Sequence, residues 1–231
     1  MDVNLNNEIQ DAGVVLVVAK KYQSELTAVG STEAETRQLE DLVASLTAKD
    51  VAHETAVSTV GQLTKAQNDL FERGDEVIGK LKSVVKVAYY RDKVMHKTFH
   101  IGIKPQSTVA GMLAELAYLK DLVTANAATL AARGFGETDI AEITACYDGL
   151  QAKDAEQENV KKVRNGLRIE RDALLKEMLD AKRKIRGSAA ICFRNNPTIL
   201  NEFKSIIRKS TTKKSTGDTE SETAPDTSAG S

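Results

Sequence analysis

Apolar residues recur at alternating spacings of three and four along most of the chain, and almost no segment alternates with a period of two. This pattern is typical of amphipathic helices rather than strands. The longest example begins after a capping-box sequence at residues 32–35 and contains no proline, although Gly74 could kink or break it. Its apolar positions form a heptad seam: Leu39, Leu42, Leu46, Ala56, Val60, Leu63, Leu70, Val77, Leu81, Val84 and Ala88.

Turn and capping residues set the limits of the other predicted helices. We expect the long helix to end near residues 99–104, where Gly102 and Pro105 interrupt the pattern. Asn196 followed by Pro197 predicts the start of a short final helix. The remaining helices are predicted, in chain order, at about residues 3–29, 108–133, 138–193 and 198–208.

The order of the predicted elements repeats with an offset of 104 residues. Leu63 corresponds to Leu167 in this alignment, and the two seams stay in phase along both long helices. Near the ends, residues 90–93 match residues 193–196 after a shift of one residue. The shared order of short helix, glycine turn, long helix and aromatic–Arg end predicts an internal tandem duplication.

This duplication predicts the fold class. Each half is a helical hairpin in which one helix is longer than the other. The apolar seam on the part of the long helix that extends beyond the short one must be covered by the other half or by a second copy of the chain. We therefore predict an all-α fold, an elongated antiparallel helical bundle of about four main helices, two of them long. The expected divisions are a first helical repeat at 1–104, a second at 105–209 and a disordered Ser/Thr-rich tail at 210–231.

Composition narrows the classes of protein further. Only 4% of the 231 residues are aromatic, which disfavours an all-β sandwich or barrel, and the net charge of −1 gives no global field towards nucleic acid or membrane. Residues 1–5 lack the basic start of a signal peptide, and no apolar run is long enough to span a bilayer. Cys146 and Cys192 lie on apolar stripes, as reduced buried thiols do, so we expect a cytoplasmic protein.

Charge is polarised along both long helices, which are acidic at their start and basic at their end. Complementarity to the helix macrodipole and a solvated face account for this arrangement without any ligand. Two other interpretations stay open: the basic ends bind a polyanion, or they dock on the acidic region of another copy. The candidate contact residues are Lys82, Lys86, Lys162, Arg164, Arg168 and Arg171.

Polar residues also fall on the seam itself. A polar position in a coiled-coil core fixes register at some expense of stability. Gln67 and Arg171 are expected to form one such layer. The other predicted layer comprises Lys49, His53, Lys153 and Gln157.

No residue pattern typical of catalysis emerges. A di-metal site in a helical bundle needs two Glu-x-x-His motifs, but the nearest match is residues 50–53, and the corresponding residues 154–157 lack the histidine. His96 and His100 have the spacing of zinc ligands on one helix face, but no further ligand is identifiable, so we interpret them as surface residues. We therefore expect neither an enzyme nor a bound cofactor or metal.

The sequence thus favours a non-enzymatic structural or interaction protein. It would self-associate, as a homo-oligomer, or scaffold a protein partner through apolar helix seams and polarised charge. The alternative is a helical module that binds a polyanion, either nucleic acid or an anionic membrane, through its basic helix ends.

Overall fold

The computed structural model describes residues 3–104 and 106–204, and within these residues every regular element is an α-helix. The all-α prediction is therefore confirmed for the described part of the chain. The predicted tail at 210–231 lies outside the described residues, whereas the last helix ends at Glu202 rather than near residue 208. The helices are α1 (Val3–Lys21), α2 (Gln23–Ala28), α3 (Glu33–Ala88), α4 (Lys93–Thr98), α5 (Val109–Ala125), α6 (Ala127–Ala131), α7 (Glu137–Cys192) and α8 (Pro197–Glu202).

Two helices dominate the structure, because α3 and α7 each have 56 residues. At 1.5 Å per residue, each is about 84 Å long. The side chains of Thr32 and Glu35 form the expected capping box at the start of α3. Gly74 does not break α3: a Cβ built there would meet Met112 Sδ at 3.4 Å, so the glycine allows α5 to approach closely.

The two long helices pack side by side in opposite directions. Lys49 of α3 pairs with Glu170 of α7 at 2.5 Å, whereas Lys80, farther along α3, pairs with Asp139 at 2.6 Å. Residue numbers therefore rise along α3 as they fall along α7. Gly149 of α7 lies between these pairs, and a Cβ there would meet Leu70 at 3.1 Å.

Three other predicted helices are also shorter or more broken than expected. α3 ends at Ala88 rather than near 99–104, because Arg91 adopts a left-handed φ of 72° and Asp92 caps the separate helix α4. The predicted helix at 3–29 is interrupted at Tyr22, whose φ of −113° and ψ of 29° are not helical. The predicted helix at 108–133 breaks at Asn126, whose side chain donates to Leu122 O.

Apolar side chains form two separate cores, one at each end of the long helices. End one contains α1, α2, α8, the start of α3 and the end of α7, whereas end two contains α4, α5, α6, the end of α3 and the start of α7. Between them, residues 47–69 of α3 and 151–173 of α7 form a two-helix stalk. Leu63 in this stalk is buried and Leu167 is half-buried, so α3 and α7 cover each other's seams.

Positions 104 residues apart occupy similar places in the structure. The start and end of α7 follow those of α3 by 104 residues, and those of α8 follow α4 by the same number. The caps of these short helices, Asp92 and Asn196, and the buried Phe99 and Phe203 keep the same offset. These helix bounds and caps therefore keep one offset of 104 residues, without the shift of one residue expected near the ends.

Within residues 3–104 and 106–204, no helix combines the length and apolarity needed to cross a membrane.

Candidate interaction surfaces along the rod

Several of the polarised charges pair across the two long helices. Antiparallel packing places the acidic start of α7 beside the basic end of α3, where Arg73 pairs with Glu142 at 2.6 Å and Lys80 pairs with Asp139. At end one, Lys20 of α1 pairs with Glu40 of α3 at 2.7 Å. These exposed pairs each contribute about 0–1 kcal/mol, but together they favour one register of packing.

A largely buried ionic cluster lies at end one and joins α1 to α7. Lys182, 6% exposed, is 2.5 Å from Glu8 and 2.8 Å from Asp11, and Arg186 is 2.6 Å from Asp11. Burial of Asp11 opposes its ionisation, but hydrogen bonds from Lys182 and Arg186 outweigh burial and hold the pKa of its carboxyl below its usual range. The apolar periodicity did not predict this cluster, although the three-residue spacing of Glu8 and Asp11 beside an apolar stripe was a usable signal.

End two has a related but less charged arrangement at the corresponding positions. Lys82 lies 3.9 Å from Glu115, just as Arg186 lies beside Asp11 at end one. Ile78 stands where end one has Lys182. His100 Nδ1 is 2.9 Å from Glu115, so this histidine supports helix packing.

Polar residues in the stalk form two layers. Each residue of the Asp50–Arg171 pair lies 104 positions from a residue of the Gln67–Asp154 pair. In one layer, Arg171 donates to Asp50 at 3.3 Å and lies 3.5 Å from His53 Nδ1. In the other, Gln67 donates to Asp154 at 3.1 Å. One carboxylate oxygen of the buried Asp50 has no hydrogen-bond partner.

The structure does not bring together the residues predicted to share a layer. Lys49 and His53 lie beside Glu170 and Arg171, whereas Gln157 donates to Thr64 at 2.8 Å and Lys153 pairs with Glu156 in its own helix. Gln67 and Arg171 likewise belong to different layers. The distances assign these side chains, except Lys153, to contacts between α3 and α7.

The six candidate basic residues are also spread along the two long helices. Lys82 and Lys86 lie at end two, whereas the other four lie on the stalk part of α7, about 35–55 Å away along the helix axis. Lys82 is paired with Glu115, and Arg171 with Asp50 and Asp172. The described residues give no ion pair to Arg164 or Arg168. Lys86, Lys162 and Arg168 are exposed, and Arg164 is half-buried.

Neither cysteine belongs to a disulfide in the structure. Cys146 is buried and Cys192 is half-buried, and both thiols are free. Burial, together with the nearby Glu142 carboxylate, raises the pKa of the Cys146 thiol to about 11. Cys146 is therefore protonated at neutral pH and packs as a small apolar side chain.

The described residues contain no group of three or more His, Cys, Asp or Glu side chains arranged to hold a metal ion. Comparison with protein-family models, curated proteins and solved structures finds no match.

Proposed function

We propose that the chain is a non-enzymatic structural protein, a helical spacer that self-associates or scaffolds a partner through its two ends. The observation that carries this proposal is the antiparallel pairing of two 56-residue helices with a separate apolar core at each end. Leu42 and Leu81 are buried in the two cores and are separated by about 58 Å of continuous α3. A pair of helices of this length sets a fixed distance between the partners that bind at the two ends.

In this proposal, the two ends are products of a tandem duplication with repeats at 1–104 and 105–209. The common offset of 104 residues in the long helices, the short helices and their caps supports it. Each core draws helices from both repeats, so the repeats are not expected to fold separately. Duplication would give the molecule two related docking ends facing a partner or a second copy.

The internal pairing of charge supports a structural role. Asp11, Lys182 and Arg186 neutralise one another across α1 and α7, and Asp50 and Arg171 do so across the stalk. Groups held in this way fix helix register and packing. The seam itself is covered within one chain, so we expect self-association to use the ends rather than the stalk.

The test is the mass and shape of the full chain in solution. Light scattering over a range of protein and salt concentrations should show elongated particles with masses above the 25.1 kDa of one chain. An elongated monomer under all conditions would remove self-association and leave the spacer role. A compact monomer under all conditions would refute the proposal.

A matched pair of deletions tests the spacer role separately. Removing residues 57–63 of α3 together with residues 157–163 of α7 removes two facing heptads and keeps both ends intact. Small-angle scattering should show a rod shorter by about 10 Å. Deleting only residues 57–63 shifts one long helix by a heptad relative to the other. This deletion should instead destabilise the stalk, which a lower Tm in thermal unfolding would show.

A further inference from the structure

The end of α3 and the segment that follows it expose an unusual number of apolar side chains. We call residues 86–104 the tip. Within it, Val87 is 58% exposed, Tyr90 73%, Val94 74% and Ile103 52%. Large apolar side chains this exposed are normally scattered singly, so four within one short segment indicate a contact surface.

The tip is also strongly basic. Its single acidic residue, Asp92, is engaged as a helix cap that accepts hydrogen bonds from the amides of Val94 and Met95. The Lys and Arg residues of the tip outnumber this carboxylate, so the segment carries an excess of positive charge. The exposed cations of the tip are Lys86, Arg91, Lys93, Lys97 and Lys104.

Ring and apolar contacts fix the conformation of the tip. The ring of Tyr89 stacks on the buried Phe99 at 6.0 Å, and Ile101 packs against the core of end two. The guanidinium of Arg91 lies 5.2 Å from the centre of the Tyr90 ring. The exposed apolar and cationic side chains are thus presented together at one end of the rod.

We propose that the tip binds the surface of an anionic lipid membrane. Cations attract the negatively charged headgroups, and Val87, Val94 and Ile103 supply aliphatic groups that enter the boundary of the acyl layer. Tyrosine is suited to the same interface because its ring is apolar and its hydroxyl is polar. Aliphatic side chains gain nothing from a phosphate backbone in water, so the composition favours lipid over nucleic acid.

Among the described residues, the corresponding positions at the opposite end carry fewer exposed apolar side chains than the tip. Arg194 and Thr198 stand where the tip has Tyr90 and Val94. Ile191, which corresponds to Val87, is 70% exposed there. End one therefore supplies matched control positions within the same chain.

The experiment is co-sedimentation of the full chain with lipid vesicles. Vesicles of phosphatidylcholine with 30% phosphatidylserine (about −30 to −50 mV surface potential) should bind the protein, and vesicles of phosphatidylcholine alone should not. Substituting Lys93→Gln with Lys97→Gln should lower the partition coefficient about fivefold for each cation removed. Substituting Tyr90→Ser with Val94→Ser, which keeps the charge, should lower it at least about tenfold.

The controls are Lys184→Gln with Arg194→Gln, and Ile191→Ser, all at exposed positions of end one. These variants should bind vesicles like the unsubstituted chain, and circular dichroism should show the same helix content for all variants. Equal loss in the control and tip variants, or no binding to anionic vesicles, would overturn the proposal. The proposal would also be overturned, in favour of nucleic acid, by a second pattern. In that pattern the chain binds a DNA duplex through Lys93 and Lys97 but not through Tyr90 and Val94, and substituting Tyr90 and Val94 does not weaken binding to vesicles.

Discussion

The buried cation at end one offers a quantitative test of how this fold is stabilised. Lys182 is held between Glu8 and Asp11, and Asp11 keeps a second cation, Arg186. Substituting Lys182→Ala leaves two carboxylates beside one remaining cation. Removing one partner of a buried ion pair costs about 3–5 kcal/mol, and partial exposure of Glu8 places the expected loss near the lower limit.

The same cluster provides a variant that should reverse this loss. At the corresponding positions of end two, Ile78 and Met112 replace Lys182 and Glu8, and both are buried. Substituting Glu8→Met with Lys182→Ile should therefore restore an apolar contact and keep the pair between Asp11 and Arg186. Replacing a buried ion pair by apolar side chains of similar size is often neutral or stabilising by about 1–4 kcal/mol.

Thermal unfolding followed by circular dichroism measures both variants. A loss of about 3 kcal/mol should lower the Tm by about 6–12 °C in a chain of this size. Hydrogen exchange of the α1 amides should then localise the change to end one, whereas the α5 amides of end two should stay protected. The reasoning fails if Lys182→Ala lowers the Tm by less than about 2 °C, or if the double variant is as unstable as the single one.

Three further outcomes follow from individual residues. Because its hydrogen bonds hold the pKa of Asp11 low despite burial, this residue stabilises the fold above about pH 4 and loses that contribution as the pH falls further; urea unfolding at pH 2–6 should show a weaker acid dependence in Asp11→Asn. Gly74→Ala should raise the free energy of unfolding by up to about 1 kcal/mol, since a methyl group there makes an ordinary contact with Met112, whereas an unchanged or lower Tm would show that the contact is too tight. The Cys146 thiol, with its pKa of about 11, should resist iodoacetamide at pH 8 until the protein unfolds; rapid labelling of Cys146 in the native protein, located by mass spectrometry of its peptides, would contradict this.

Periodicity predicted the long helices well because their signal is repeated over many turns. The start of α3 at the Thr32 capping box and the extent of α7 follow directly from the pattern. The end of α3 was misplaced because apolar residues continue in phase through α4, and periodicity carries no information about the left-handed turn at Arg91. At the break, the Asn126 side chain donates to Leu122 O nearby and also accepts a hydrogen bond from Tyr89, which follows α3. Local sequence does not encode this second contact.

Contacts between distant residues were harder to predict than helices. The polar residues of the seam were identified, but their partners depend on which residues of α3 and α7 face each other. The cluster of Asp11, Lys182 and Arg186 joins residues more than 170 positions apart. Helical spacing places such residues on a face, but only the packing of α1 on α7 brings them together.

Distances between spin labels on α3 and α7 test the central claim, a continuous antiparallel pair of long helices, most directly. Cysteines introduced at the exposed Thr47, Ser83 and Asp172, with Cys146 and Cys192 replaced by serine, provide the labelling sites. The backbone separation of Thr47 and Ser83, which spans Gly74, should be about 54 Å, and that of Thr47 and Asp172 about 10 Å. A much shorter first distance would show a broken α3, and a second distance of several tens of ångströms would show that the helices do not pair in this direction and register.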